Sequence, residues 1–131
     1  MGTQSNLDLV IAGLRGAVAD AVKRVAFNIS AELISTTPVD TGWARSNWVI
    51  SIGEPISSPV GSRDAVDQSA QADGQARMLV YDVMQGAVHI TNNVPYIEVL
   101  NTGHSPQAPA GFIEAAIARG LATATTGATG A

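Results

Sequence analysis

The chain has 131 residues, a formal net charge of −4 and no cysteine. This length makes one domain with a core of modest size, without a disulfide framework or a thiolate metal site, and the scarce, unclustered Lys and Arg argue against gripping nucleic acid through its phosphates. No apolar run approaches a bilayer span, and the first residues lack the basic, apolar and small-residue order of a signal peptide, so folding in a cytoplasm is expected.

Leu7, Ile11, Leu14, Val18, Val22, Val25, Ile29 and Leu33 recur in steps of three or four, which is the period of one helix face. Ser5 with Asp8 offers an N-cap and an acidic first turn, and Pro38 stops the helix, so the element is predicted over about Ser5 to Ser35. It would be roughly 45 Å long, whereas a compact chain of this size has a radius of gyration of about 14 Å. Such a helix overhangs its own domain or bends, and Gly13 and Gly16 mark its weak point. Its second half is apolar on a further flank through Phe27, Ala31 and Ile34. That leaves two readings, one broad core face or a core face plus a surface for another subunit.

Asp40-Thr41-Gly42 has the form of the nucleophile-activating turn of dimeric aspartic proteases, which need two carboxylates sharing one proton in a rigid turn. Pro38 just before it, the long helix upstream and bulky Trp43 downstream do not fit that turn. The alternative is a short helical turn holding Trp43, Ala44 and Arg45, capped by Asp40 or Thr41. Trp48, Ile50 and Ile52 alternate with Val49, Ser51 and Gly53 as in a strand. Residues 54–76 are rich in Pro, Ser, Gly and Asp and read as a long polar loop, expected to be mobile. Between residues 70 and 85 helix and strand patterns compete.

Ala87 to Asn92 is a second strand. Pro95 turns the chain, Tyr96, Ile97 and Leu100 have the spacing of a helix of two or three turns, and Thr102-Gly103 closes it. Pro106 and Pro109 stiffen a strap around Gln107-Ala108. A final helix from Ala110 to Ala122 turns Phe112, Ile113, Ala116, Ile117 and Leu121 inward, and the Ala/Thr/Gly tail over 122–131 is expected to be disordered. The fold class is therefore α+β: one domain over 1–121, with a long N-terminal helix and a C-terminal helix packed on a small antiparallel β-sheet. Trp48, Ile50, Ile52, Val88 and Ile90 are expected to face Leu14, Val18, Val22, Val25 and Ile29. A third strand should come from the loop or a neighbouring subunit.

His89, His104 and Glu98 lack the spacing of a metal site. Asp64, Asp67 and Asp73 lack the alternating ligands and closing glutamate of a calcium loop. No phosphate-binding glycine loop and no nucleophile elbow are present. The expectation is a protein without catalytic residues, cofactor or metal.

Taken together, Thr37-Pro38-Val39-Asp40-Thr41-Gly42, Arg45-Ser46, Asn92-Asn93-Val94-Pro95-Tyr96, Gly103-His104-Ser105 and Gln107-Ala108-Pro109-Ala110-Gly111-Phe112 form a pattern over residues 10–120. It resembles the neck or tail-completion family of long-tailed bacteriophages. The resemblance implies a non-enzymatic structural subunit of the virion's head-tail connection, made in the host cytoplasm and assembled as a homo-oligomeric ring, expected to be a hexamer. DNA would pass through the ring without specific binding. Its neighbours would be head-completion and tail-tube or tail-terminator proteins, with no membrane involved. Trp43 departs from the basic residue more usual in that family. A tail terminator or stopper of the same junction, or a generic homo-oligomeric binding module, are the alternatives. Subunit and partner contacts are expected at Phe27, Ala31, Ile34, Asp40, Trp43, Arg45, Pro95, Tyr96, His104, Gln107, Pro109 and Phe112.

Overall fold

A computed structural model describes residues 3–38, 42–60, 68–103 and 108–129. Helix α1 (Thr3–Thr36) is followed by the short α2 (Trp43–Ser46), strand β1 (Val49–Ile52), α3 (Ser69–Leu79) and a 3-10 turn (Val83–Gln85). Strand β2 (Val88–Thr91), the short α4 (Ile97–Asn101) and α5 (Phe112–Thr129) complete the chain. The fold is α+β, with the long first helix, the C-terminal helix and a two-stranded antiparallel sheet.

β1 and β2 pair with Ile50 opposite Ile90 and Ile52 opposite Val88, so these four side chains share one face. They pack with Val22 and Phe27 around a buried cluster of Ala19, Ala26, Ile50, Met78 and Tyr81. A second cluster joins Leu33, Trp48 and Ala116, with Ile29 and Ile34 against it. The expected partners Leu14 and Val18 are not part of either. They lie beyond the sheet at 62% and 51% exposure, because α1 is 34 residues long and continues unbroken past the clusters.

No third strand accompanies the pair among the described residues. Gly53 N–H donates to Ala87 C=O, so by antiparallel alternation the main-chain groups of Ile50 point away from β2. Gly74 of α3 lies against them: a Cβ at this position would come within 2.7 Å of Ile50 O. The polar stretch thus supplies a helix, and that helix covers the β1 edge where a third strand would have paired. Ala70, Gln71, Ala72, Gln75, Ala76, Arg77 and Met78 are good helix formers, which is why the loop predicted over 54–76 ends at Ser69. Residues before α3 are held as well, since Asn47 Oδ1 accepts from Val60 N–H and Asn93 Nδ2 donates to Ile56 O. Asp64 and Asp67 lie outside the described residues.

α5 also exceeds its prediction, reaching Thr129 through the Ala/Thr/Gly stretch expected to be disordered. Ala116, Gly120 and Ala124 are buried at steps of four, and a Cβ at Gly120 would sit 2.6 Å from Ile29 Cα. The small residues let two helix backbones approach, so packing holds a segment that propensity alone would not. Ile117 and Leu121, expected inward, are 40% and 48% exposed instead.

Gly13 and Gly16 do not break α1, and a Cβ at either would meet nothing within 4 Å. Gly13→Ala and Gly16→Ala are therefore expected to stabilise the chain, by about 0.5–1 kcal/mol each. A thermal melt that falls on either substitution would contradict this.

Candidate functional site

The described parts of the segments that carry the sequence pattern come together around α2 and the start of α5. Thr37, at the end of α1, is buried and donates from Oγ1 to Leu33 O, while its oxygen accepts the indole N–H of Trp48 at 2.7 Å. Arg45 Nε donates to Ile34 O at 2.8 Å, giving the last turn of α1 a cationic partner where the helix dipole favours one. Gly42 begins α2 with φ 73°, a left-handed conformation that glycine enters without steric cost. It takes the cap position predicted for Asp40 or Thr41, which lie outside the described residues.

The Asn92-Asn93-Val94-Pro95-Tyr96 turn is tied to α2 from the opposite side. Asn92 Nδ2 donates to Ala44 O at 2.7 Å, and its Oδ1 accepts from Val94 N–H. Tyr96 leans on Trp43, with ring centroids 6.0 Å apart and planes inclined by 60°, within the range of a tilted aromatic pair. α4 is shorter than the two or three turns predicted, but it ends as expected with Gly103 at φ 93°. Asn101 then binds the start of α5. Its C=O accepts from Gly111 N–H, its Oδ1 from Ile113 N–H, and its Nδ2 donates to both carboxylate oxygens of Glu114 at 2.9 Å.

These amide hydrogen bonds, with a smaller contribution from the Glu114 backbone N–H, hold the Glu114 carboxyl below its ordinary pKa. A carboxyl depressed in the folded state stabilises the fold above its unfolded pKa, and the contribution fades as pH falls through the lower folded value. The acid limb of unfolding is expected to flatten in Glu114→Gln, read as the pH dependence of the urea midpoint. An unchanged limb would place this linkage elsewhere.

Between the end of α1, the strap and α5 lies a cleft of about 510 Å3 lined by Thr37, Pro38, Arg45, Pro109, Phe112 and Arg119, among others. Arg119 Nε is paired with Glu32 Oε2 at 2.9 Å. Of the residues expected to make contacts, Trp43, Arg45, Tyr96, Pro109 and Phe112 are assembled here, with Phe112 buried and Pro95 and Pro109 exposed. His104 and Gln107 lie outside the described residues. Phe27 sits elsewhere, half-buried against the Ile50 cluster, and Ile34 is half-buried against Trp48 and Leu33. Both are used inside the chain, whereas Ala31 is exposed.

Sequence reasoning missed Gln71, Asn47, Asn101 and Arg119. Gln71 Nε2 donates to Arg45 O, and Asn47 Nδ2 donates to Trp43 O. A polar residue at the Met78 stripe spacing of α3 was the signal available for Gln71; the asparagines carry none, because Asn47 also bonds Val60 and Asn101 bonds the start of α5, both distant in sequence.

The polar atoms here serve main-chain groups and helix ends. Among the described residues no three His, Asp or Glu gather as a metal set, and His89 lies in β2 with Nε2 3.3 Å from Gly53 O. Comparison with family models, with curated proteins and with solved structures finds no match to this chain.

Proposed function

We propose that this chain is a structural ring subunit of a tailed-phage neck, joining or completing the tail around the DNA channel. The observation that supports this reading is the convergence of the described parts of the pattern-bearing segments around α2 and the start of α5. There Thr37, Arg45, Asn92 and Asn101 fasten α1, α2, the Pro95 turn and α5 to one another. Such an arrangement fixes the relative placement of surfaces. Among the described residues it aligns no base on a nucleophile.

On this reading the exposed Pro95 and Pro109, with the edges of Trp43 and Tyr96, meet neighbouring rings of head-completion and tail-tube or terminator proteins. The acidic balance of the chain keeps passing DNA from being held. Six-membered rings are expected in negative-stain images or native mass spectra of the purified protein under assembly conditions. Particles lacking the protein should accumulate as separate filled heads and tails. Absence of rings at all concentrations, with normal head-tail joining without the protein, would remove the proposal.

A further inference from the structure

The apolar stripe of α1 is half uncovered, and its two halves complement each other. On the projecting arm Leu7, Ile11, Leu14 and Val18 are 49%, 37%, 62% and 51% exposed. Further along the same face Val22, Val25 and Ile29 floor an apolar groove of about 580 Å3, walled by Ile117 of α5 on one side and Ile90 of β2 on the other. α1 runs unbroken from Thr3 to Thr36, so the arm cannot fold back into the groove of its own chain. Something else must cover both.

Positions 7, 11, 14, 18, 22, 25 and 29 are spaced identically in either direction about Val18. We infer that α1 pairs antiparallel with α1 of a second copy about a two-fold axis at Val18, each arm lying in the other's groove. Leu7 then meets the partner's Ile29, Ile11 the partner's Val25, Leu14 the partner's Val22, and Val18 its own counterpart. The lengths agree: the arm stripe from Leu7 to Val18 covers about 17 Å, and the groove floor from Ala21 to Leu33 about 18 Å.

The area is also sufficient. Half the surface of a helical arm about 24 Å long and 11 Å across is on the order of 400 Å2. Each copy contributes an arm and a groove, so about 800 Å2 is buried per partner, the size of a stable interface. The contact is self-complementary, as a two-fold interface must be. A small apolar ligand fits less well, because the aliphatic walls supply no convergent polar groups to orient it, and the Trp48 indole N–H is already bonded to Thr37. This inference rests on α1, not on the neck reading.

The chain contains no cysteine, so single-cysteine variants of the full chain report intermolecular proximity directly. Val18→Cys is expected to form a covalent dimer under mild oxidation, since facing side chains on a two-fold axis come within disulfide range. Ile11→Cys and Val25→Cys should each stay largely unlinked alone and cross-link when mixed. Self-linking by Ile11→Cys as readily as by Val18→Cys would mean a parallel pair, and no linkage at Val18 would mean no pair; either overturns the inference. Val18→Asp is at an exposed position and should halve the mass by sedimentation while leaving the far-ultraviolet circular dichroism of each chain in place. A dimer that survives it also overturns the pairing. Rings without Val18 cross-links would remove the pairing and leave the neck reading, and cross-links without rings would do the reverse.

Discussion

Trp48→Ala is expected to cost about 3–5 kcal/mol, the usual range for truncating a large buried aromatic. Trp48 lies between Leu33 and Ala116 in the cluster that joins α1, β1 and α5, and its N–H is bonded to a buried Thr37 hydroxyl. Removing the ring leaves a cavity and takes a donor from that hydroxyl. Two milder variants separate these effects. Trp48→Phe retains much of the packing and loses the hydrogen bond, whereas Thr37→Val keeps the ring and strands its N–H, at about 1–3 kcal/mol. Urea denaturation of the three should rank Trp48→Ala as the most damaging. Near-equal midpoints would show that Trp48 does not link the three elements.

The second large effect belongs to Gly120. Gly120→Ala should destabilise by about 1–3 kcal/mol, although alanine is the better helix former by about 1 kcal/mol. The added methyl would stand 2.6 Å from Ile29 Cα and 2.7 Å from Ile29 N, and main-chain atoms within α1 cannot rotate aside. The helices must separate, loosening Ala116 and Ala124 and the Arg119 to Glu32 ion pair. Amide exchange in α5 should accelerate in Gly120→Ala and stay unchanged in Gly13→Ala, which adds the same methyl where nothing is nearby. A Gly120→Ala chain as stable as the original would mean that the close crossing of α1 and α5 is not required.

Regular patterns made the main elements legible in the sequence. The three-and-four spacing of α1 foretold one long helix, its length called for either an overhang or a bend, and the alternation around Ile50 and Ile90 foretold two strands with their apolar faces aligned. What stayed hidden depends on small residues and on bonds between distant segments. Gly74 stands among the polar residues of the predicted loop and Gly120 inside the predicted final helix, and nothing local marks either as the point where a helix touches another backbone. Hence the predicted loop overlaps the first turns of α3, where helix and strand readings compete from residue 70, and the last turns of α5 were taken for a disordered tail. At the candidate site, the turns at Gly42, Pro95 and Gly103 could be read locally. That Asn92 would reach Ala44, or Asn101 the start of α5, could not, since asparagine at a turn has the same local signature whichever carbonyl or amide it meets.

Those asparagines also carry an expectation about how the protein ages. Asn47, Asn92 and Asn93 each direct an Nδ2 donor at a main-chain carbonyl, on Trp43, Ala44 and Ile56 respectively. Asparagine is a thermolabile side chain; loss of ammonia turns the donor into a carboxylate oxygen, so two acceptors then face each other across a former hydrogen bond. Each such event adds one negative charge and loosens one tie, within the α2 cap for Asn47, between the Pro95 turn and α2 for Asn92, and between that turn and the segment after β1 for Asn93. Stored material should therefore resolve into a ladder of more acidic forms, each less stable than the one before, and acidification that protonates the new carboxyl should restore part of the loss.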